Sequence, residues 1–227
     1  MKIALKVGGS VFCPTESPDM EFVGKLSKVL LDLKKEHDIA VIVGGGRLAR
    51  KMMEEARAIG IESDEELHQL GIEAARKNAS VLVKALGGGA FPDVPRNEEE
   101  VRHALESGKI VAVGGFRLGQ TTDAVTLQSA EAIGADLVII GTDVKGVYDK
   151  DPKRHKDARF ISYISASELL DLVDTESVEP GAKTIIDPVA VRIMIKTGMR
   201  TAVLDITNLD NLRKAVLGTE FEGTLVR

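Results

Sequence analysis

The chain has 227 residues, 44% of them hydrophobic and 29% charged, with a formal charge of −5. The acidic balance argues against broad, sequence-independent nucleic-acid binding, which needs a net basic face. The single cysteine, Cys13, excludes an intrachain disulfide framework and fits a reducing, cytoplasmic compartment. Aromatic residues make up only 4% and Trp is absent, so the core is expected to be aliphatic. The opening MKIALKVGG lacks the long apolar stretch of a secretory signal, and no run approaches the length of a membrane span, so no membrane partner is expected. One domain, 1–227, is the expected organisation.

In chain order, short aliphatic runs predict strands at Ile3 to Val7, Ile39 to Val43, Ile110 to Val113, Leu137 to Ile140 and Thr201 to Ile206. Such near-continuous runs read as strands buried on both faces. Helical spacing links Phe22, Leu26, Val29, Leu30 and Leu33, and again Leu48, Met52, Ala56 and Ile59. Ser63 with Glu66, Asn97 with Glu100 and Ser165 with Glu168 read as capping boxes. Asp187-Pro188 places a cap before a first-turn proline, and Gly60, Gly108, Gly134 and Gly198 fall where helices should stop. Alternating strands and helices predict an α/β protein with a mainly parallel sheet covered on both faces. Two segments, Pro14 to Asp19 and roughly Asp174 to Ile186, read as irregular and as candidate lids.

Glycine clusters follow three of the predicted strands: Gly8-Gly9-Ser10, Gly44-Gly45-Gly46 and Gly114-Gly115. In open α/β sheets ligands bind beyond the carboxyl ends of the strands, where glycine lets backbone N–H groups approach a phosphate. A single cluster reads as a tight turn. Three after three strands read as an anion site. Gly87-Gly88-Gly89 follows a predicted helix and reads as its stop. Neither the P-loop pattern nor the dinucleotide fingerprint is present.

Lys6 stands two residues before Gly8, inside a strand expected to be buried on both faces. It either snorkels at the strand end or meets an anion. Thr121-Thr122-Asp123 opens a helix, either as an ordinary cap or as a second phosphate holder with Asp123 orienting a lysine or touching a metal. Tyr148 and Asp151 lie in a turn-rich loop that reads as solvated when taken alone, with a stacking ring and a hydrogen-bond acceptor on offer. Lys183 falls in the second irregular segment, where an exposed surface lysine is the default reading. His37, His68, His103 and His155 show no metal-ligand spacing.

Taken together, KVGGSV at Lys6 to Val11, VIVGGGRLAR at Val41 to Arg50, GIEAARKNA at Gly71 to Ala79, VGGFRLGQTTDA at Val113 to Ala124, GADLVIIGTDVKGVYDKDP at Gly134 to Pro152 and IDPVAVRI at Ile186 to Ile193 resemble the amino acid kinase superfamily, and within it the archaeal uridylate (UMP) kinases. The resemblance implies a three-layer α/β/α sandwich, a homohexamer, and Mg²⁺-assisted phosphorylation of UMP by ATP in pyrimidine nucleotide synthesis. It implies Lys6, Asp123 and Lys183 as catalytic residues. Gly8, Gly9, Ser10, Gly45, Arg50, Thr142, Tyr148 and Asp151 would face ATP. Gly44, His68, Gly115, Phe116, Arg117, Leu118, Gly119, Gln120, Thr121 and Thr122 would face UMP. No protein metal ligands are implied. At His68 the family pattern carries an aspartate directed at the ribose; either nearby Asp64 substitutes or ribose recognition is altered. At Asp143 to Gly146 the usual N-V-D-G reads D-V-K-G. The GGGRLAR loop lacks the histidine expected of isopentenyl phosphate kinases. Lys6 together with Asp123 speaks for an enzyme over a nucleotide-binding sensor.

Overall fold

The computed structural model describes residues 1–176 and 186–227. Its strands are β1 (Lys2–Val7), β2 (Asp38–Val43), β3 (Val111–Val113), β4 (Leu137–Thr142), β5 (Val147–Tyr148), β6 (Phe160–Ile161), β7 (Tyr163–Ile164), β8 (Thr201–Asp205) and β9 (Thr224–Val226). Its helices are α1 (Gly9–Phe12), α2 (Met20–Leu33), α3 (Gly46–Ala58), α4 (Asp64–Leu86), α5 (Glu98–Leu105), α6 (Thr122–Ile133), α7 (Ala166–Glu176), α8 (Pro188–Thr197) and α9 (Leu209–Leu217). Seven strands form one sheet in the order β3-β2-β1-β4-β8-β9-β7, and β5 pairs with β6 in a separate antiparallel hairpin. From β3 to β8 every neighbouring pair is parallel; β9 then runs antiparallel to β8.

All five sequence-predicted strands are present, and side-chain alternation explains the two cores. Ile3, Leu5 and Val7 of β1 join Ile39, Val41, Val43 and Ile139 under α2, α4 and α9. Ala4 faces the other way, with Ala40, Ile42, Val138 and Ile140, against α5, α6, α7 and α8. Each fully buried Ile or Leu among them contributes about 1.5–3 kcal/mol of transfer free energy. Lys6 shares the parity of Ala4 and so stands on the α6 side of the sheet.

The helix signals also hold. Ser63, Asn97 and Asp187 each accept a first-turn N–H, and Pro188 occupies the first turn of α8. Ser165 and Glu168 make the full reciprocal box. Gly60, Gly108, Gly134 and Gly198 all have positive φ at or just beyond helix ends. Gly87 ends α4 in the same way, at φ +55.

Two expectations need correcting. Ile59 does not lie on a buried helix face: it is the C-cap of α3 and is 79% exposed. The turn-rich loop after β4 is not wholly irregular, because Val147 and Tyr148 pair with Ile161 and Phe160. Of the second irregular segment, α7 takes the first residues through Glu176, and 177–185 lie outside the described residues.

Candidate active site

The strand order places β1 third of seven, with the chain moving outward to β2 and β3 and then returning to β4 on the other side of β1. The carboxyl ends of β1, β2 and β3 carry the three glycine clusters at this switch point.

The first two loops touch backbone to backbone. A Cβ on Gly9 would come within 2.3 Å of Gly46 N, and one on Gly44 within 2.8 Å of Gly9 N. Any side chain at either position would force the loops apart. Gly8 and Gly44 commit their own N–H groups to the sheet, donating to Gly141 O at 3.0 Å and Val7 O at 3.2 Å. The N–H groups of Gly9, Ser10, Gly45 and Gly46 have no hydrogen-bond partner among the described residues. Gly45 is right-handed (φ −71, ψ −27) and Gly46 left-handed (φ +64), the backbone pair that turns successive N–H groups into one anion-binding hollow. The 13-residue α3 begins there and adds partial positive charge.

The third loop closes on the second. Thr122 Oγ1 lies 3.4 Å from where a Gly44 Cβ would be. Thr121 caps α6 by accepting from Ala124 N, and its hydroxyl donates to Asp187 Oδ2 at 2.5 Å. In the first turn of α6, Asp123 accepts from the Lys6 ammonium; both side chains are 12% exposed. The Asp187 N–H donates to the other Asp123 oxygen at 3.4 Å, and Asp187 also caps α8. The strand-end lysine is therefore held against a carboxylate, not snorkelling to solvent.

Beside this centre is a cavity of about 290 Å³. His68, Gly115, Arg117, Gly119, Gln120, Thr121 and Thr122 line it, together with Gly45 and apolar side chains of α3 and α4. Phe116 instead packs on the α6-side core, and Leu118 is exposed and lines a neighbouring groove with Ile61 and Leu70. Asp64, in the first turn of α4, is exposed. Arg117 pairs with Glu98. Arg50 is exposed on α3 and makes no ion pair among the described residues.

On the opposite side, Thr142 ends β4 beside Gly8. The Tyr148 ring meets Phe160 edge-on, with centroids 5.6 Å apart. Asp151 accepts from Lys153 N at 2.8 Å, and Lys153 reaches Asp143 at 2.6 Å. Burial pushes Asp143 up, but the hydrogen bond and charge of Lys153, with hydrogen bonds from the backbone and Thr142, together outweigh that and hold its carboxyl below the usual range. Lys145, at the position where the family pattern has aspartate, lies over Phe160 and pairs with Glu222. Lys183 lies outside the described residues.

Gly46 and Asp187 were not singled out as site residues by the sequence. The signal for Gly46 was its place in the second cluster; for Asp187 the sequence showed only a helix cap.

A mainly parallel sheet, unpartnered amides in its strand-end loops and a lysine–carboxylate pair joining β1 to α6 define a phosphate-handling α/β protein. The chain belongs to the amino acid kinase family, which matches residues 1–205. It is 40% identical to a uridylate kinase of Methanocaldococcus jannaschii, over 98% of this chain and 100% of that protein. It is 38% identical to a uridylate kinase of Pyrococcus abyssi, over 100% of this chain and 99% of that one. The crystal structure of a uridylate kinase from Archaeoglobus fulgidus superposes with a TM-score of 0.89 at 32% identity, each chain covered in full. These likenesses agree with the α/β/α architecture described above.

Proposed function

We propose that the chain acts as one unit that transfers the γ-phosphoryl group of ATP to UMP, giving ADP and UDP. The observation that carries this reading is the Lys6–Asp123 pair, formed where β1 and α6 meet, with unpartnered amides at Gly9, Ser10, Gly45 and Gly46 and the cavity lined by Thr121 and Thr122 on the adjoining loops. Full-length likeness to proteins named uridylate kinase supports the choice of acceptor.

In this reading the loop amides, with Arg50 at the rim, hold the donor phosphates, and Thr142, Tyr148 and Asp151 lie on the adenosine side. The cavity takes UMP, with its phosphate toward Thr121 and Thr122. An α-phosphate oxygen of UMP attacks the γ-phosphorus. The new O–P bond forms as the bond to the β–γ bridging oxygen breaks, and ADP departs. The acceptor oxygen is already ionised near neutral pH, so positioning and charge do the catalysis. Lys6 neutralises charge that grows on the transferred group, and Asp123 keeps its ammonium aimed. Lys183 is carried as a second cation on the resemblance alone.

Mg²⁺ comes with the nucleotide as Mg²⁺–ATP and supplies charge neutralisation across the phosphates. Among the described residues no cluster of three or more His, Cys, Asp or Glu could hold a metal ion. A cytoplasmic homohexamer is the setting the resemblance implies; among the described residues no helix is long and apolar enough to cross a membrane. Phosphorus NMR of a mixture of protein, ATP, Mg²⁺ and UMP tests the reaction. Paired growth of UDP and ADP signals is expected; ADP with inorganic phosphate and no UDP would overturn the reading.

A further inference from the structure

Asn78 lies near the middle of α4 and is completely buried. Its helix neighbours Ala74, Ala75, Ala79 and Leu82 are buried and apolar, as the inner face of a core helix requires. An amide in that setting is costly unless it is hydrogen-bonded. Its Nδ2 donates to two successive carbonyls of the second glycine loop, Gly44 O at 2.9 Å and Gly45 O at 3.2 Å. Its Oδ1 is buried and has no hydrogen-bond partner among the described residues. The side chain is therefore held by its donor end alone.

The geometry of the peptide unit gives this contact a consequence. A trans peptide is planar, and the N–H of the next residue points opposite to the carbonyl. With the Gly44 and Gly45 carbonyls turned to Asn78, the Gly45 and Gly46 N–H groups point away from α4. Those are two of the amides left without partners. Glycine peptides flip easily, since either sign of φ is open to them. Nothing in the loop's own side chains can prevent this.

We infer that Asn78 is a positioning residue for phosphate binding: its amide fixes two glycine peptide planes so that their N–H groups face the donor phosphates before nucleotide arrives. The inference rests on the phosphate-binding reading of the loops, not on the identity of the acceptor.

The test is calorimetric binding of Mg²⁺–ADP to wild type, Asn78→Leu and Asn78→Asp. The leucine keeps the branched shape, is somewhat larger, and removes the donors. The two carbonyls left without that donor should lower its melting temperature by several degrees, and its Kd, read well below that temperature, should rise about tenfold or more. The aspartate faces two carbonyl oxygens when ionised but regains one O–H donor when protonated. Followed across a pH titration, its Kd should therefore be raised where the new carboxyl is ionised and recover toward wild type as it is protonated, a recovery that neither wild type nor the leucine variant shows. Equal Kd values in all three proteins, or an aspartate variant with no pH dependence of its own, would overturn the inference. If neither variant folds, the wild-type protein still decides: Gly45 and Gly46 amide resonances must shift on addition of Mg²⁺–ADP, and their indifference would overturn it. Tight ADP binding without UDP formation would remove UMP as acceptor and leave Asn78 standing. Wild type that binds no ADP would remove both.

Discussion

Lys6 of β1 and Asp123 of α6 are 117 positions apart in the chain and form an ion pair with both side chains 12% exposed. Two facts of sequence meet there. Strand parity turns Lys6 toward α6, and the Thr121 cap starts that helix with Asp123 in its first turn. Replacing Lys6 by Ala is expected to lower kcat about 100- to 1,000-fold with little change in KM, as for charge stabilised mainly in the transition state. The uncompensated Asp123 should also cost roughly 1–3 kcal/mol of stability. Steady-state kinetics and a denaturant melt read both. A raised KM at preserved kcat would make Lys6 a ground-state binder.

Asp187 offers a separate handle. It caps α8, accepts from Thr121 and donates its N–H to Asp123. Asp187→Ala should lose the cap, at about 1 kcal/mol, and loosen Thr121. Asp187→Asn retains a capping oxygen and should recover most of the stability. Melting curves of the two variants give the comparison, and equal losses would argue against the cap as the source.

The contact between the first two glycine loops leaves no room for a methyl group. Gly9→Ala sets a Cβ 2.3 Å from Gly46 N, where no side chain can move aside. A loss of about 1–3 kcal/mol is expected from overpacking, together with loss of ADP binding. Gly24→Ala is the control: nothing lies within 4 Å of its added Cβ, and it lies inside α2, so it should be neutral or slightly stabilising.

Acid should act on the loop after β4. The Asp143 carboxyl is held below its unfolded value by Lys153, so its contribution is present above the unfolded value and lost as pH falls through the folded one. The pair is partly exposed, so the effect is small and screened by salt. Protection of the 143–153 amides, with the intrinsic pH dependence of exchange divided out, should fall below about pH 4 in wild type and fall less in Asp143→Asn.

Much of this was legible in the sequence because local rules and tertiary packing agree. The five apolar runs are central strands, and Ser63, Asn97, Ser165 and Asp187 cap the helices their patterns announced. What stayed hidden depends on partners distant in the chain. The short strand Thr224–Val226 has no periodicity of its own and exists by pairing with β8. Tyr148 offered a free ring in sequence; its contact with Phe160 follows from a hairpin of two-residue strands. Asn78 looked like any polar residue on a helix, because the carbonyls it holds are more than thirty positions away. Glycine clusters reveal where backbone is bare, but not which amides the sheet consumes. That is why Gly8 and Gly44 looked equivalent to Gly9 and Gly45.

The acceptor defines the reaction. The measurement that bears on it most directly is coupled ADP release with ATP, Mg²⁺ and, in turn, UMP, CMP, AMP, acetylglutamate and isopentenyl phosphate. Strong turnover with UMP alone is the expected result. Turnover with another acceptor and not UMP, or with none despite tight ATP binding, would contradict it.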